Sequence, residues 1–203
     1  MCVSSRSSLV LFLTGTISSL VLAYKYQDIN YLSYATVSLM QLSEWLMWID
    51  VESRGKYETL NILGNYIGIL SLFLQTSFMN IMRPSQIGNY MLIVHIICYS
   101  IMTYNYAKKH NLSKKVKSNK LSWGIMKANN SVFLTILVIL FVISQTFVNV
   151  VHLKSMEFSF VNYFILFLSI KATTPLVKDF SSLWCYMGAI CVIIYTFYKL
   201  IFM

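Results

Sequence analysis

Charge is the scarcest property of this 203-residue chain, because Asp, Glu, Lys and Arg make up 11% of it, against roughly 25% in soluble globular domains. Seven residues are acidic, whereas 57% are hydrophobic. So much apolar surface cannot be hidden in a water-soluble core of this size, and the apolar runs are long enough to cross about 30 Å of hydrocarbon. The composition therefore predicts a single membrane domain without a soluble module.

Proline and closely spaced cysteines are scarce as well. Pro84 and Pro175 fall between the apolar runs, so no predicted span needs a proline kink. The four cysteines include no C-x-x-C pair, which argues against a zinc site and a disulfide framework. A glycine-rich phosphate loop and a basic groove with interleaved aromatic residues are also missing. The sequence thus gives no support for a metal, a cofactor or a nucleic-acid partner.

Seven apolar segments remain, and helices are the open-chain way to satisfy every backbone group in lipid. We predict an all-α, polytopic transmembrane helix bundle that forms one domain over residues 1–203. Its helices are expected at about 9–24, 31–49, 60–82, 89–107, 132–151, 158–170 and 183–203. The first run also fits a signal peptide, so its cleavage is the alternative to a first span.

The basic residues predict the orientation. Twelve of the sixteen Lys and Arg residues lie on the side that holds the amino terminus, most of them in the loop 108–130. Short loops rich in Lys and Arg stay in the cytosol, so the amino terminus is expected there. The loop has two interpretations: its lysines contact an anionic leaflet, or it is a solvated loop that merely fixes orientation. The lysines in question are Lys114, Lys115, Lys117 and Lys120.

Glu44 is the one carboxylate well inside an apolar segment, where an ionisable group costs about 3 kcal/mol on insertion scales. Antiparallel neighbours place residues that are equally far from a loop at the same depth, which puts Asn65 beside Glu44 and Gly68 opposite Gln41. We expect either a neutral acid that is hydrogen-bonded to Asn65 or a carboxylate in a wet cavity. The predicted buried polar cluster comprises Gln41, Glu44, Trp48 and Asn65.

A second polar layer is expected nearer the opposite membrane surface, from the same counting of depth. It pairs Gln75 with His95 and Gln145 with Asn162. Membrane-embedded amides usually fasten helices together, so helix packing is the favoured role for the three amide side chains. For His95, packing is favoured over a part in a proton relay.

Several enzyme and receptor classes lack their required residues. A retinal Schiff base needs a lysine in the middle of the last helix, where this chain has Lys199 close to its end. Seven-helix zinc hydrolases need several membrane histidines and carboxylates, and a serine hydrolase needs a matched Ser, His and acid set. No catalytic constellation is found, so an enzyme is the least favoured class.

One pattern resembles a family. The order of its elements is similar to that in an uncharacterised family of small multi-pass membrane proteins from giant DNA viruses. The shared elements are Met40-Gln41-x-x-Glu44-x-x-x-Trp48, Asn61, Gln75 and Ser182-Leu183-Trp184-Cys185. The family usually has Gln-Pro where this chain has Gln75-Thr76. The resemblance implies a viral protein of a host-cell or virion membrane, and it implies no known activity.

Two functions follow as expectations. The first is a small-solute or proton-linked carrier or channel that uses the buried acid. The alternative is a structural or interaction protein of viral or host membranes, whose buried amides only fasten helices. The expected partners are the lipid bilayer and anionic lipid head groups, and the sequence predicts no oligomeric state.

Overall fold

The computed structural model describes residues 4–82, 84–115, 121–129 and 193–201, together with positions 133, 136, 139, 140, 143 and 190. The described residues are mostly helical, so the all-α prediction is confirmed at that level. The helices are α1 (Ser5–Tyr26), α2 (Ser33–Glu52), α3 (Glu58–Met82), α4 (Gln86–Lys109) and the short α5 (Gly124–Ala128). Residues 193–201 are also helical.

The first four long helices match the predicted segments closely, with their ends moved by local capping. Asp28 accepts a hydrogen bond from the Asn30 amide at 3.0 Å and holds a 3₁₀ turn over Ile29–Leu32, so α2 begins at Ser33. The Ser85 hydroxyl accepts from Gly88 N and starts α4 at Gln86. His110, in the left-handed conformation, ends it.

Successive helices run antiparallel, and α2 lies between α1 and α3. Ser5, at the start of α1, donates its backbone N–H and its hydroxyl to the Glu52 carboxylate at the end of α2. At the opposite end, the Tyr26 hydroxyl donates to the Lys199 carbonyl, and the Tyr34 and Tyr195 rings meet edge to face. We call the end of the bundle that holds Ser5 and Glu52 the basic end. The end that holds Tyr26, Tyr34 and Tyr195 is the tyrosine end.

The tightest packing joins α2 to α3 across Gly64-x-x-x-Gly68. The Ser43 hydroxyl donates to the Gly64 carbonyl at 2.7 Å, and a methyl group on Gly64 would lie 2.8 Å from the Ser43 carbonyl oxygen. Small residues four apart allow helix backbones to approach this closely. From the sequence, Gly68 was predicted to lie at a close approach of two helices, and Gly64 was not.

Two of the described helices, α1 and α4, are long and apolar enough to cross a membrane by length and composition alone. The test is also met by signal sequences, and α1 lies near the amino terminus. The predicted spans 132–151, 158–170 and 183–203 lie largely outside the described residues, as do Gln145 and Asn162.

Part of the basic loop 108–130 is buried, which differs from its interpretation as a solvated loop, whereas the contact of its lysines with an anionic leaflet stays a prediction. Helix α4 continues to Lys109, and the chain then forms a hairpin of β1 (Lys114–Lys115) and β2 (Leu121–Ser122), followed by α5. Side chains beyond the hairpin turn are buried rather than solvated, because the loop carries apolar residues that need cover. The fully or almost fully buried ones are Leu121, Trp123, Ile125 and Ala128. We call residues 111–115 and 121–129 the inserted segment.

Candidate functional site

The candidate site is the polar pocket between α2 and α3 at the basic end, and the inserted segment fills it. Ser113, 2% exposed, lies at its centre. Asn61 binds the Ser113 backbone at both groups: its Oδ1 accepts from Ser113 N at 2.9 Å and its Nδ2 donates to Ser113 O at 3.0 Å. A side-chain amide used in this way replaces the neighbouring strand that a β-ladder would supply.

Asn65 binds the other part of the segment. Its Oδ1 accepts from the Ile125 backbone at 3.0 Å, and its Nδ2 donates to the Ser113 hydroxyl at 3.0 Å. The Ser113 hydroxyl in turn accepts from Gly124 N at 2.8 Å. Buried backbone outside regular helices needs such internal partners, because an unpaired N–H or C=O group away from water is costly. We call Asn61, Asn65 and Ser113 the Ser113 clamp.

Asp50 supports the clamp from α2. It is 3% exposed, and its carboxylate accepts from Asn61 Nδ2 at 2.9 Å and from the Tyr57 backbone at 2.9 Å. The carboxylate therefore fixes the orientation of the Asn61 amide and ties down the turn before α3. A buried carboxylate with two strong donors is far less costly than an isolated one.

Glu44 lies deeper in the pocket and is fully buried. Its Oε1 accepts from the Trp123 indole N–H at 3.3 Å, so the inserted segment covers this acid. Asn65 directs its amide to Asn61, Ser113 and Ile125 instead, and the expected hydrogen bond from Asn65 to Glu44 is wrong. The reason is that the inserted segment brings backbone donors to Asn65 that the sequence count of depth did not include.

Gly68 admits the Trp123 ring. A methyl group there would lie 2.7 Å from Trp123 Cζ3 and 2.9 Å from the Ser43 hydroxyl. The nearest neighbours of Gly68 are therefore Trp123, Ser43 and Ile125. Gln41 and Trp48 are both buried as predicted. Trp48 differs from Trp123, because its indole N–H has no hydrogen-bond partner.

The second polar layer is arranged differently from the expectation. Gln75 Nε2 donates to the Thr36 carbonyl of α2 at 3.4 Å and to the Ser71 hydroxyl at 3.2 Å. The Ser71 hydroxyl also donates to the Thr36 carbonyl, at 2.7 Å. His95 is buried in α4, and its ring centroid lies 6.3 Å from that of Tyr99. We call Thr36, Ser71 and Gln75 the Gln75 layer.

Two of the four lysines that were predicted to contact lipid belong to the described residues. Lys114 and Lys115 form the first strand of the hairpin and are exposed, whereas Lys117 and Lys120 lie outside the described residues. Lys109 is exposed as well, and its ammonium group donates to the Ala128 carbonyl at 2.8 Å. The inserted segment therefore has a buried face toward α2 and α3 and a basic edge away from them.

Sequence reasoning missed Asp50, Ser113 and Trp123 as members of the site. One signal was available: from Leu121 to Met126 the loop is mostly apolar, with two alternations of apolar and small residues. A run of this kind is too short to span a membrane but is typical of a segment that is covered by protein. Ser113 carried no such signal, because it forms part of an Asn-x-Ser sequon in a basic stretch.

Comparison with protein-family models, with curated proteins and with solved structures found no match. Among the described residues no three His, Cys, Asp or Glu side chains are grouped so that they could hold a metal ion. The chemistry of the site is accordingly that of amides, hydroxyls, indoles and two buried carboxylates.

Proposed function

We propose that this chain is a multi-pass integral membrane protein of the structural or interaction class, with the seven spans and the cytosolic amino terminus that the sequence predicts. The observation that carries the proposal is the occupation of the polar pocket by the chain's own inserted segment. A solute site would be expected to keep open space beside its polar groups. Here those groups are taken up by Ser113, Trp123, Gly124 and Ile125.

The exposed faces of α1 and α4 support the membrane part of the proposal. On α1 the exposed apolar residues recur every three or four positions, at Val10, Leu13, Ile17 and Leu20. On α4 the same holds for Ile93, Ile97, Ile101 and Tyr104. Each set forms one stripe of a helix. Apolar stripes outside and polar groups inside suit a lipid solvent and would be a liability in water.

The proposal includes a virion or host-cell membrane as the location, which is what the resemblance to giant-virus membrane proteins implies. The partner that the basic edge fits is an anionic lipid surface, to which each lysine adds about 1 kcal/mol of attraction. Lys114 and Lys115 are exposed and adjacent on the hairpin, and they meet a cytosolic leaflet if the amino terminus is cytosolic.

The test has two parts. Carbonate extraction of membranes that contain the chain should leave it in the pellet, and its release would contradict membrane integration. In vesicles with anionic lipid, trypsin cleavage at Lys114 and Lys115 should be slower than in zwitterionic vesicles. Cleavage at Lys25, an exposed lysine at the tyrosine end, should show no such difference when trypsin is added on that side. Equal rates at the hairpin would contradict the lipid contact.

A proton-linked carrier is the second candidate, favoured by one observation: a carboxylate at zero exposure inside the bundle. It requires Trp123 to leave Glu44 during the cycle. Proton flux into vesicles that carry a pH-sensitive dye should be zero for wild type and Glu44→Gln under the structural proposal. Flux in wild type that disappears in Glu44→Gln would favour the carrier. An infrared carboxyl band that titrates reversibly would do the same.

A further inference from the structure

Residues of α3 and α4 line an open groove of about 580 Å³. That volume falls within the roughly 300–1,000 Å³ of pockets that hold small ligands. Edge-to-face ring pairs close its floor: Phe73 with Tyr99 at 5.8 Å, and Tyr66 with Tyr106 at 5.1 Å. The lining residues are Tyr66, Ile69, Leu70, Phe73, Ile96, Tyr99, Ser100, Thr103 and Tyr104.

Polarity changes along the groove. Because α3 and α4 are antiparallel, Tyr66 lies level with Thr103 and Tyr104 toward the basic end, while Phe73 lies level with Ile96 toward the middle of the bundle. Tyr66, Thr103 and Tyr104 therefore place hydroxyl groups at the basic end, Tyr99 and Ser100 carry hydroxyl groups near the middle, and Phe73 and Ile96 form the apolar end. A lipid has the same order, with a polar head and an apolar chain.

A cation lies just beyond the hydroxyl end. Lys108 is four residues after Tyr104 on the same face of α4 and is exposed, one helical turn past the lining. Its neighbour Lys109 is engaged by the Ala128 carbonyl, which leaves Lys108 as the cation placed to meet a phosphate at this edge. Long basic side chains at helix ends commonly reach the interface in this way.

We propose that the groove binds one anionic glycerophospholipid, with an acyl chain between Leu70 and Ile96 and the phosphate at Lys108. The proposal rests on the membrane location proposed above, because the groove opens laterally where α4 would cross the bilayer. Charge complementarity selects an anionic over a zwitterionic head group, and the apolar half of the groove selects a lipid over a free phosphate.

Native mass spectrometry of the detergent-solubilised chain, with phosphatidylglycerol or phosphatidylcholine added, tests the proposal. Wild type should retain one phosphatidylglycerol at least fivefold more often than phosphatidylcholine. Ser100→Trp should fill the groove and lower retention of both lipids, and Leu70→Trp on the opposite wall should do the same. Lys108→Gln should keep a lipid and lose the preference.

Lys56→Gln is the matched control, because Lys56 is exposed at the same end but lies in the turn between α2 and α3; it should behave as wild type. Equal retention of the two lipids by wild type, or unchanged retention in both tryptophan variants, would overturn the groove. Free inorganic phosphate that competes with the lipid would indicate a phosphate site instead. Release by carbonate would overturn the membrane proposal separately.

Discussion

The Ser113 clamp and the Gln75 layer are both sets of buried polar groups between α2 and α3, and they differ in what they hold. In the Gln75 layer, side chains of α3 bind the Thr36 carbonyl of α2, so helix binds helix. In the Ser113 clamp, α3 amides bind the backbone of a segment that enters from outside the bundle.

The Gln75 layer therefore packs one helix against another, whereas the Ser113 clamp binds the inserted segment. A side-chain amide that donates to a helix carbonyl adds a second hydrogen bond to a group that the helix already pairs. Double-mutant cycles in membrane proteins give such interhelical hydrogen bonds about 0.6 kcal/mol on average. The Ser113 clamp differs, because its amides are the partners of backbone groups that have no other among the described residues. When such an amide is removed, each backbone N–H or C=O group that stays buried without a partner costs about 1–3 kcal/mol. The predictions below test this difference, from the largest effect to the smallest.

Gly124→Ala should have the largest effect. Its new methyl group would overlap the Asn111 carbonyl oxygen, and both partners are backbone, so no rotamer relieves the contact. We expect a loss of about 3 kcal/mol in the free energy of unfolding, with faster trypsin cleavage after Lys114 and Lys115. Gly55→Ala is the control: its φ of +85° is strained for alanine but nothing lies within 4 Å of the new methyl. Equal thermal stability of the two variants would contradict insertion.

Asn61→Leu should rank second. It leaves the Ser113 N–H and C=O and one Asp50 oxygen without their partner, for a total cost of up to about 3 kcal/mol, near 1 kcal/mol for each of the three groups. Gln75→Leu, the matched change in the Gln75 layer, should cost about 1 kcal/mol or less. Chemical unfolding in mixed micelles measures both. If Gln75→Leu proved as damaging as Asn61→Leu, the two sets would not differ in kind.

Gly68→Ala should displace the inserted segment more than it disturbs the helices, because its new methyl meets the Trp123 ring and a side-chain hydroxyl. We expect a loss of about 1–2 kcal/mol. Gly64→Ala meets the Ser43 backbone and should loosen α2 from α3 instead. The rate of trypsin cleavage after Lys114 and Lys115, measured at one temperature, distinguishes the two variants. It should be higher in Gly68→Ala than in Gly64→Ala. The reverse order would indicate that Trp123 does not lie against Gly68.

Trp123→Phe should have the smallest effect. It keeps a buried aromatic ring and removes the donor to Glu44, which costs about 1 kcal/mol. Trp48→Phe is the matched control, since the Trp48 indole N–H has no partner to lose, and its own cost should come from ring volume alone. A melting temperature that falls equally in both variants would argue against the bond to Glu44.

The helices were predictable, and so was the burial of Glu44, Gln41, Trp48 and Asn65. Hydrophobic runs of span length, bounded by turn residues, predicted α1 to α4 to within a few residues. The depth count placed Asn65 beside Glu44, because short connections force antiparallel neighbours, and both residues are fully buried.

The partners of those residues were not predictable. A count of depth compares helices that follow one another, and the inserted segment reaches the pocket from residues 46 or more positions away from Asn65. The apolar run from Leu121 to Met126 indicates a segment that is covered by protein, but it does not distinguish cover in the pocket between α2 and α3 from cover elsewhere. The distinction depends on tertiary contacts, above all the room at Gly68 for Trp123.

Amide hydrogen exchange at Ser113, Gly124 and Ile125 in nanodiscs tests the insertion most directly. These three N–H groups donate to Asn61 Oδ1, Ser113 Oγ and Asn65 Oδ1. We expect all three to exchange at least a hundredfold more slowly than Lys56 in the exposed turn between α2 and α3, and Asn65→Leu to release Ile125 first. Exchange at Gly124 and Ile125 as fast as in that turn would mean a solvated loop and would contradict the account.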